Sequence, residues 1–311
     1  MTVASVSPSR WVLAAFLAVV LIGGTNFVAV RFSIRELPPF WGASIRFLAA
    51  AAVLAVVALV QRLEFPRGSA LIGAVIYGLL GFGAAYAFAY WGLQRISAGL
   101  AAVTMALTPL ITFGLAVAQG QEPFRWRPLA GGVVALAGIG LIFRGAASDA
   151  IPVLSLLAIA ATGAASAEAS IVVKRFPRSH PVTMNAVGML TGAVVLLVLS
   201  FVSREPHALP RETSTWVALG YLVLLGSSTI FVLFLHVLKH WAASSVAYQF
   251  VLFPLVALTL SSVLERASVP STLLAGMAVV LGGVYIGSVS QVPFVRTPHR
   301  LGTEPCLNCA E

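Results

Sequence analysis

The chain has 311 residues, of which 59% are hydrophobic and only 9% charged, with a formal net charge of +9. Soluble domains carry about 25% charged residues, so this composition excludes a water-exposed surface and makes lipid the solvent. The 19 Lys and Arg are spread over short loops rather than gathered in a patch, which excludes a nucleic-acid footprint, and two cysteines, Cys306 and Cys309, exclude a disulfide framework.

In chain order, ten apolar segments reach the ~17–25 residues needed to cross hydrocarbon. They lie near 11–30, 40–60, 70–93, 98–118 and 128–143, then 152–173, 182–202, 216–238, 242–264 and 272–289. The fifth is short and is expected to borrow Trp126 at its start. The third and fourth are separated only by Gln94-Arg95-Ile96-Ser97, a tight hairpin. The first follows Arg10 but is too long for a signal-peptide core and has a counterpart in the sixth, so it is expected to be retained. With the N-terminus in the cytoplasm, 11 Lys and Arg fall on the inner side and 7 on the outer. That bias predicts both termini inside. Arg heavily outnumbers Lys, which reads as GC-rich bacterial coding.

An internal repeat organises these segments. The stretch 98–143 returns after a shift of 145 residues: Pro109 falls on Pro254, Leu129-Ala130-Gly131 on Leu274-Ala275-Gly276, and Gly138 on Gly283. At the same offset Trp91 meets His236, and at 144 Val30-Arg31-Phe32 meets Lys174-Arg175-Phe176. The expected organisation is a first five-helix repeat over 1–147, a second over 148–291, and a cytoplasmic tail over 292–311. An odd number of helices per half makes the second enter from the opposite side. The predicted fold is therefore all-α and membrane-integral, ten helices in a five-plus-five inverted repeat around a central cavity, as expected of an alternating-access carrier.

The chain resembles the EamA-type drug/metabolite transporter superfamily. The resemblance covers 10–290 and rests on Gly24-Thr25-Asn26-Phe27-Val28-Ala29, Arg46-Phe47, Ala98, Pro109, Gln121-Glu122, Gly131 and Gly138. In the second half it rests on Pro254, Glu265, Gly276 and Gly283. The family usually has Trp before the first-helix glycine, where Gly23 stands here. Within the family the chain is most similar to bacterial amino-acid exporters, including those for aromatic amino acids. The resemblance implies an inner-membrane exporter of small metabolites.

Polar groups at membrane depth must face protein or water, not lipid. Those expected to meet substrate are Asn26, Tyr86, Thr104, Glu168, Ser170, Asn185, Tyr248 and Gln249. Asn26 matches Ser170 and Thr104 matches Gln249 across the repeat, as a cavity lined by both halves requires; interhelical hydrogen bonding is the alternative for each. Glu168 is read as a carboxylate deep in the sixth segment, meeting a substrate amine or a proton, or else a structural acid. Arg46 is expected to pack or snorkel near the outer interface. Pro109 and Pro254 are expected kinks that free carbonyls and offer hinges.

No Gly precedes Lys174 or Lys239, which excludes a Walker A pump. No His is followed by Glu, which excludes HExxH. His236 and His240, and Cys306-x-x-Cys309 with His299, are weak metal motifs, so no metal, cofactor or catalytic residue is expected. The expected function is secondary export of amino acids and related small metabolites across the inner membrane by a non-enzymatic, monomer-competent unit, with a dimer left open. Transport of a nucleotide sugar or cationic drug, or a channel or membrane partner, is the alternative.

Overall fold

The computed structural model describes residues 10–96, 101, 104–145, 153–253, 256, 260 and 271–288. Pro254, Cys306 and Cys309 lie outside them. Among the described residues all regular structure is helical. Within hydrocarbon a helix is the only open-ended element that satisfies every backbone N–H and C=O internally.

Helix α1 spans Arg10–Ser33 and α2 Pro39–Val60; α3 runs over Ser69–Leu93. Next come α4 (Thr108–Ala118), α5 (Trp126–Gly145), α6 (Val153–Val173) and α7 (Pro181–Val202). Then follow α8 (Thr213–His240), α9 (Ala243–Phe253) and α10 (Ser271–Ser288). Six of these, α1, α2, α3, α6, α7 and α8, are long and apolar enough to cross a membrane. Their outward faces carry Leu21, Val56, Ile72, Leu157 and Val198, exposed as lipid contacts would be.

Local chemistry sets the ends. Pro39 and Pro181 open α2 and α7 at positions whose N–H would have no partner in the helix. Both helices stop where an arginine turns left-handed, Arg62 at φ 52° and Arg204 at φ 54°. Leu63 N–H then donates back to Ala58 O, and Glu205 N–H to Ser200 O, closing the last turn.

Two helices contain a π-turn the sequence did not announce: Leu79–Ala84 in α3 and Leu224–Thr229 in α8. In α8, Ser228 and Thr229 donate their hydroxyls to Val223 O and Leu224 O, each at 2.9 Å. Such turns leave backbone carbonyls short of ladder partners, and they recur at functional sites.

The expected continuous helix over 98–118 is corrected by a turn at Ala106 and Leu107, after which α4 starts afresh. Pro109 lacks the N–H that would reach Met105 O. The Thr108 hydroxyl donates to that carbonyl at 2.6 Å instead, which stabilises the break.

Helices pack in definite pairs: α2 on α7, α5 on α10, α4 on α9, α1 on α8, α3 on α6, and α4 on α6. The α5–α10 contact is backbone-close: a Cβ at Gly138 would stand 2.8 Å from Gly276 O, and one at Gly283 would collide with Gly131 O. The core between α2, α3 and α7 is built from Phe47, Ala50, Tyr77, Phe82, Met189 and Leu196.

Candidate functional site

The site grows from one charge. Arg46, in the second turn of α2, is 1% exposed. Of the two roles expected from sequence, packing or snorkelling, the side chain takes packing. Its Nε donates to Ser227 Oγ at 2.7 Å and its Nη2 to Gly226 O at 2.6 Å, both in the π-turn of α8. The guanidinium lies over the rings of Phe47 at 5.1 Å and Tyr86 at 5.5 Å. The Tyr86 and Tyr90 hydroxyls are also within its electrostatic reach. A charge at this depth costs roughly 2.5–3.5 kcal/mol on insertion scales. Two charge-assisted hydrogen bonds, each about 1.5–3 kcal/mol, offset that cost. Both acceptors lie in the π-turn of α8, Leu224–Thr229.

Asn26 of α1 reaches the same carbonyl, donating through Nδ2 at 3.1 Å. That bond fixes the amide orientation, and Asn26 Oδ1 is left buried with no hydrogen-bond partner among the described residues. Aromatic rings adjoin the polar groups: Phe47–Tyr86 at 4.6 Å, Phe82–Phe231 at 4.7 Å and Tyr86–Tyr90 at 6.3 Å between centroids. Tyr221 donates to Ile22 O at 3.3 Å. The result is a polar cluster of Arg46, Asn26 and Ser227 beside an aromatic wall.

Two further polar clusters hold the ends of the bundle. At the start of α2, Glu205 accepts from Phe40 N–H at 3.1 Å and Trp41 N–H at 2.8 Å, and Trp41 Nε1 donates to Ala208 O at 2.9 Å. Glu36 accepts from Arg211 and Glu212 N–H at the start of α8. The Thr215 hydroxyl, then those two amides and the Arg211 charge, hold Glu36 below its ordinary range against the pull of burial.

At the opposite end, Gln119 Nε2 donates to Glu168 Oε2 at 2.5 Å and Gln121 Nε2 to Ile171 O at 3.1 Å. The Ser244 hydroxyl donates to Glu122 at 2.7 Å. Lys174, with an exposed stem, seats its ammonium on Trp241 O at 2.5 Å. Burial there pushes it down to about 8, partly countered by the Glu122 charge and reinforced by Arg178.

Of the residues singled out in the sequence, the structure brings Asn26 and Tyr86 together around Arg46. Glu168 is not with them: it lies in the last turns of α6, held by the end of α4. Ser170 donates to Ser166 O in its own helix. Asn185 accepts from Tyr77 at 3.3 Å and donates to Pro181 O at 2.9 Å, so both its amide atoms are engaged within the core. Thr104 is buried, and Tyr248 is half-buried within range of the Glu122 charge. Gln249 is buried with Oε1 unpartnered among the described residues. Pro109 stands at the helix break. His240 Nδ1 lies 2.8 Å from His236 O, so that ring nitrogen is taken up within the helix. Among the described residues no group of three or more potential metal ligands exists.

Sequence reasoning missed Arg46, Tyr90, Ser227 and Gly226 as one site. A charge within a span was the available signal for Arg46. No signal exists in the sequence for the π-turn that carries Gly226 and Ser227.

Helices long and apolar enough to cross a membrane, packed around a buried arginine, define a membrane protein. The chain belongs to the EamA-like transporter family, which matches residues 9–144 and 153–289. It is 26% identical to the "Uncharacterized inner membrane transporter YedA" of Escherichia coli (strain K12), over 91% of this chain and 92% of that protein. It is 24% identical to an "Uncharacterized transporter" of Archaeoglobus fulgidus, over 89% and 98%. A "S-adenosylmethionine/S-adenosylhomocysteine transporter" of Chlamydia trachomatis is 25% identical over 81% of each chain. A solved crystal structure superposes with a TM-score of 0.73 at 19% identity, covering 91% of this chain and 98% of the other, so the fold is shared.

Proposed function

We propose that this chain is a secondary exporter of amino acids and related small metabolites, aromatic ones included, across the inner membrane. It works by alternating access of two inverted five-helix halves, 1–147 and 148–291. The observation that carries the reading is the exchange symmetry of the packing. Under the repeat, α1 to α5 correspond to α6 to α10. Exchanging the halves returns the same contacts: α2–α7, α4–α9 and α5–α10 map onto themselves, α1–α8 exchanges with α3–α6, and α4–α6 exchanges with the contact of Gly23 and Gly24 in α1 on Phe253 and Val256. The two π-turns fall 145 residues apart, and the opening prolines and the left-handed stops of α2 and α7 fall 142 apart. The family matches each half separately, which supports the same division.

In this reading the Arg46 site is the substrate chamber, with Asn26 and Tyr86 in its lining. Glu205 and Glu36 tie the halves at the outer face. Glu168, Glu122 and Lys174 ring the cytoplasmic mouth, where Glu168 meets a substrate amine or a proton. Thr104, Ser170, Asn185, Tyr248 and Gln249 are proposed to line the path in conformations that open the halves, with Pro109 and Pro254 as hinges. The name of the Escherichia coli relative supports an inner-membrane location. The name of the Chlamydia relative supports a substrate carrying an α-amino-acid group beside a flat ring.

The test is counterflow in proteoliposomes of the purified chain. Labelled phenylalanine should accumulate against unlabelled phenylalanine inside. Exchange of a nucleotide sugar or a cationic dye, with no amino acid exchanged, overturns the substrate assignment. Reporter fusions after residues 147 and 300 should report opposite sides; the same side for both overturns the inverted topology.

A further inference from the structure

We propose that Arg46 and Asn26 form an α-amino-acid recognition site in which Arg46 takes the substrate carboxylate and Asn26 Oδ1 the ammonium. This rests on the transporter reading above and assigns the substrate's binding groups to named atoms.

Among the described residues the charge of Arg46 meets no carboxylate. Its hydrogen-bond partners, Ser227 Oγ and Gly226 O, are neutral. The glutamates of the neighbouring helices are engaged at the two ends: Glu36 and Glu205 on backbone amides, Glu122 on Ser244, Glu168 on Gln119. A buried guanidinium without an acid is an incomplete ion pair, and a bound anion completes it.

The geometry specifies which anion. Nε and Nη2 form the edge of the guanidinium that presents two parallel N–H bonds, the fork that accepts a carboxylate through both oxygens. Here that edge is held by two separate oxygen atoms at 2.7 and 2.6 Å. Ser227 Oγ and Gly226 O thus stand where the two oxygens of a carboxylate would stand. A substrate carboxylate replaces them and adds the missing charge. The released Gly226 carbonyl keeps the Asn26 Nδ2 bond.

Asn26 supplies the second half of recognition. Its Oδ1 is a buried acceptor without a donor among the described residues, beside the carbonyl that Arg46 also holds. An unmet buried acceptor is costly, and an ammonium meets it. The wall of Phe47, Tyr86 and Phe82 adjoins the pair and takes an apolar or aromatic side chain. The repeat adds one point. At the offset of 142 that matches α2 to α7, Arg46 corresponds to Gly188. The space beside Gly188 is filled by Tyr77 and Phe82. Only one half carries the cation, so the chamber holds one carboxylate, not two.

The test uses matched probes in counterflow on the full chain. The pairs are phenylalanine with phenylalaninamide and S-adenosylmethionine with its decarboxylated form. UDP-glucose and ethidium are included as unrelated solutes. Each carboxylate-bearing probe should compete about 10- to 100-fold better than its partner lacking the carboxylate. N-acetylphenylalanine, lacking the ammonium, should also compete poorly. Arg46→Lys keeps the charge and loses the fork. It should weaken the acid of each pair more than the partner lacking the carboxylate, because an ammonium is a point charge without the planar fork. The wild-type comparison needs no variant and stands if Arg46→Lys does not fold. Equal competition by acid and amide overturns the anchor and leaves transport intact. Movement of UDP-glucose or ethidium alone overturns both the anchor and amino-acid export. No counterflow of any probe overturns the transporter reading, and the anchor with it.

Discussion

Replacing Gly283 by alanine sets a methyl group into backbone rather than into side chains that can turn away. The nearest atoms to a Cβ there are Gly131 O and, at 2.6 Å, Ala135 N, both in α5. Gly138→Ala makes the same collision from the other side, at 2.8 Å from Gly276 O and from Val280 N. Helices α5 and α10 must separate to admit either methyl. Overpacking of this kind costs about 1–3 kcal/mol. Alanine gains about 1 kcal/mol over glycine in helix propensity, so the net loss is about 0–2 kcal/mol. Gly282→Ala is the internal control. It lies on the same helix, shares the propensity gain, and has nothing within 4 Å of its Cβ. The difference between Gly283→Ala and Gly282→Ala therefore isolates the packing cost, about 1–3 kcal/mol. The double variant Gly138→Ala/Gly283→Ala should cost less than the two single losses added, because one separation of the helices admits both methyls. Denaturant titration of purified protein in detergent, followed by tryptophan fluorescence, measures all four. Equal stability of Gly283→Ala and Gly282→Ala would refute the close α5–α10 contact.

Lys174 is held at about 8 against an ordinary 10.5 by burial, so the folded chain loses this proton before the unfolded chain does. Between those values the unfolded chain binds more protons and stability rises with pH; below about 8 both forms are protonated and the dependence disappears. Lys174→Arg stays charged throughout, and its melting curves from about pH 8 to 10.5 should lack that rise; parallel curves for the two proteins would count against a buried ammonium. Glu168→Gln leaves an amide oxygen to accept from Gln119, so folded yield and melting temperature should stay as in the wild type while phenylalanine counterflow falls several-fold. Wild-type rates in that variant would remove Glu168 from the mechanism.

The sequence by itself determined the solvent, the element type and the locations of most helices. Nine-tenths uncharged residues in long apolar runs leave a helix in lipid as the available solution. Local chemistry also stood in the text of the chain: Pro39 and Pro181 at helix starts, and Pro109, whose missing N–H breaks the run before α4. Asn26, Tyr86 and Arg46 were visible as polar groups among apolar neighbours. Their mutual relation was not visible. Arg46 meets Ser227 across 181 residues of chain, and Asn26 meets Gly226 across 200. Asn185 looks like Asn26 in sequence, yet Tyr77 and Pro181 engage it within the core, and Glu168 finds Gln119 rather than the chamber. Side-chain type and helical period are local properties, written residue by residue. The direction in which a π-turn aims a carbonyl, and which buried atom is left without a partner, depend on how two distant helices cross. Only the tertiary structure decided those.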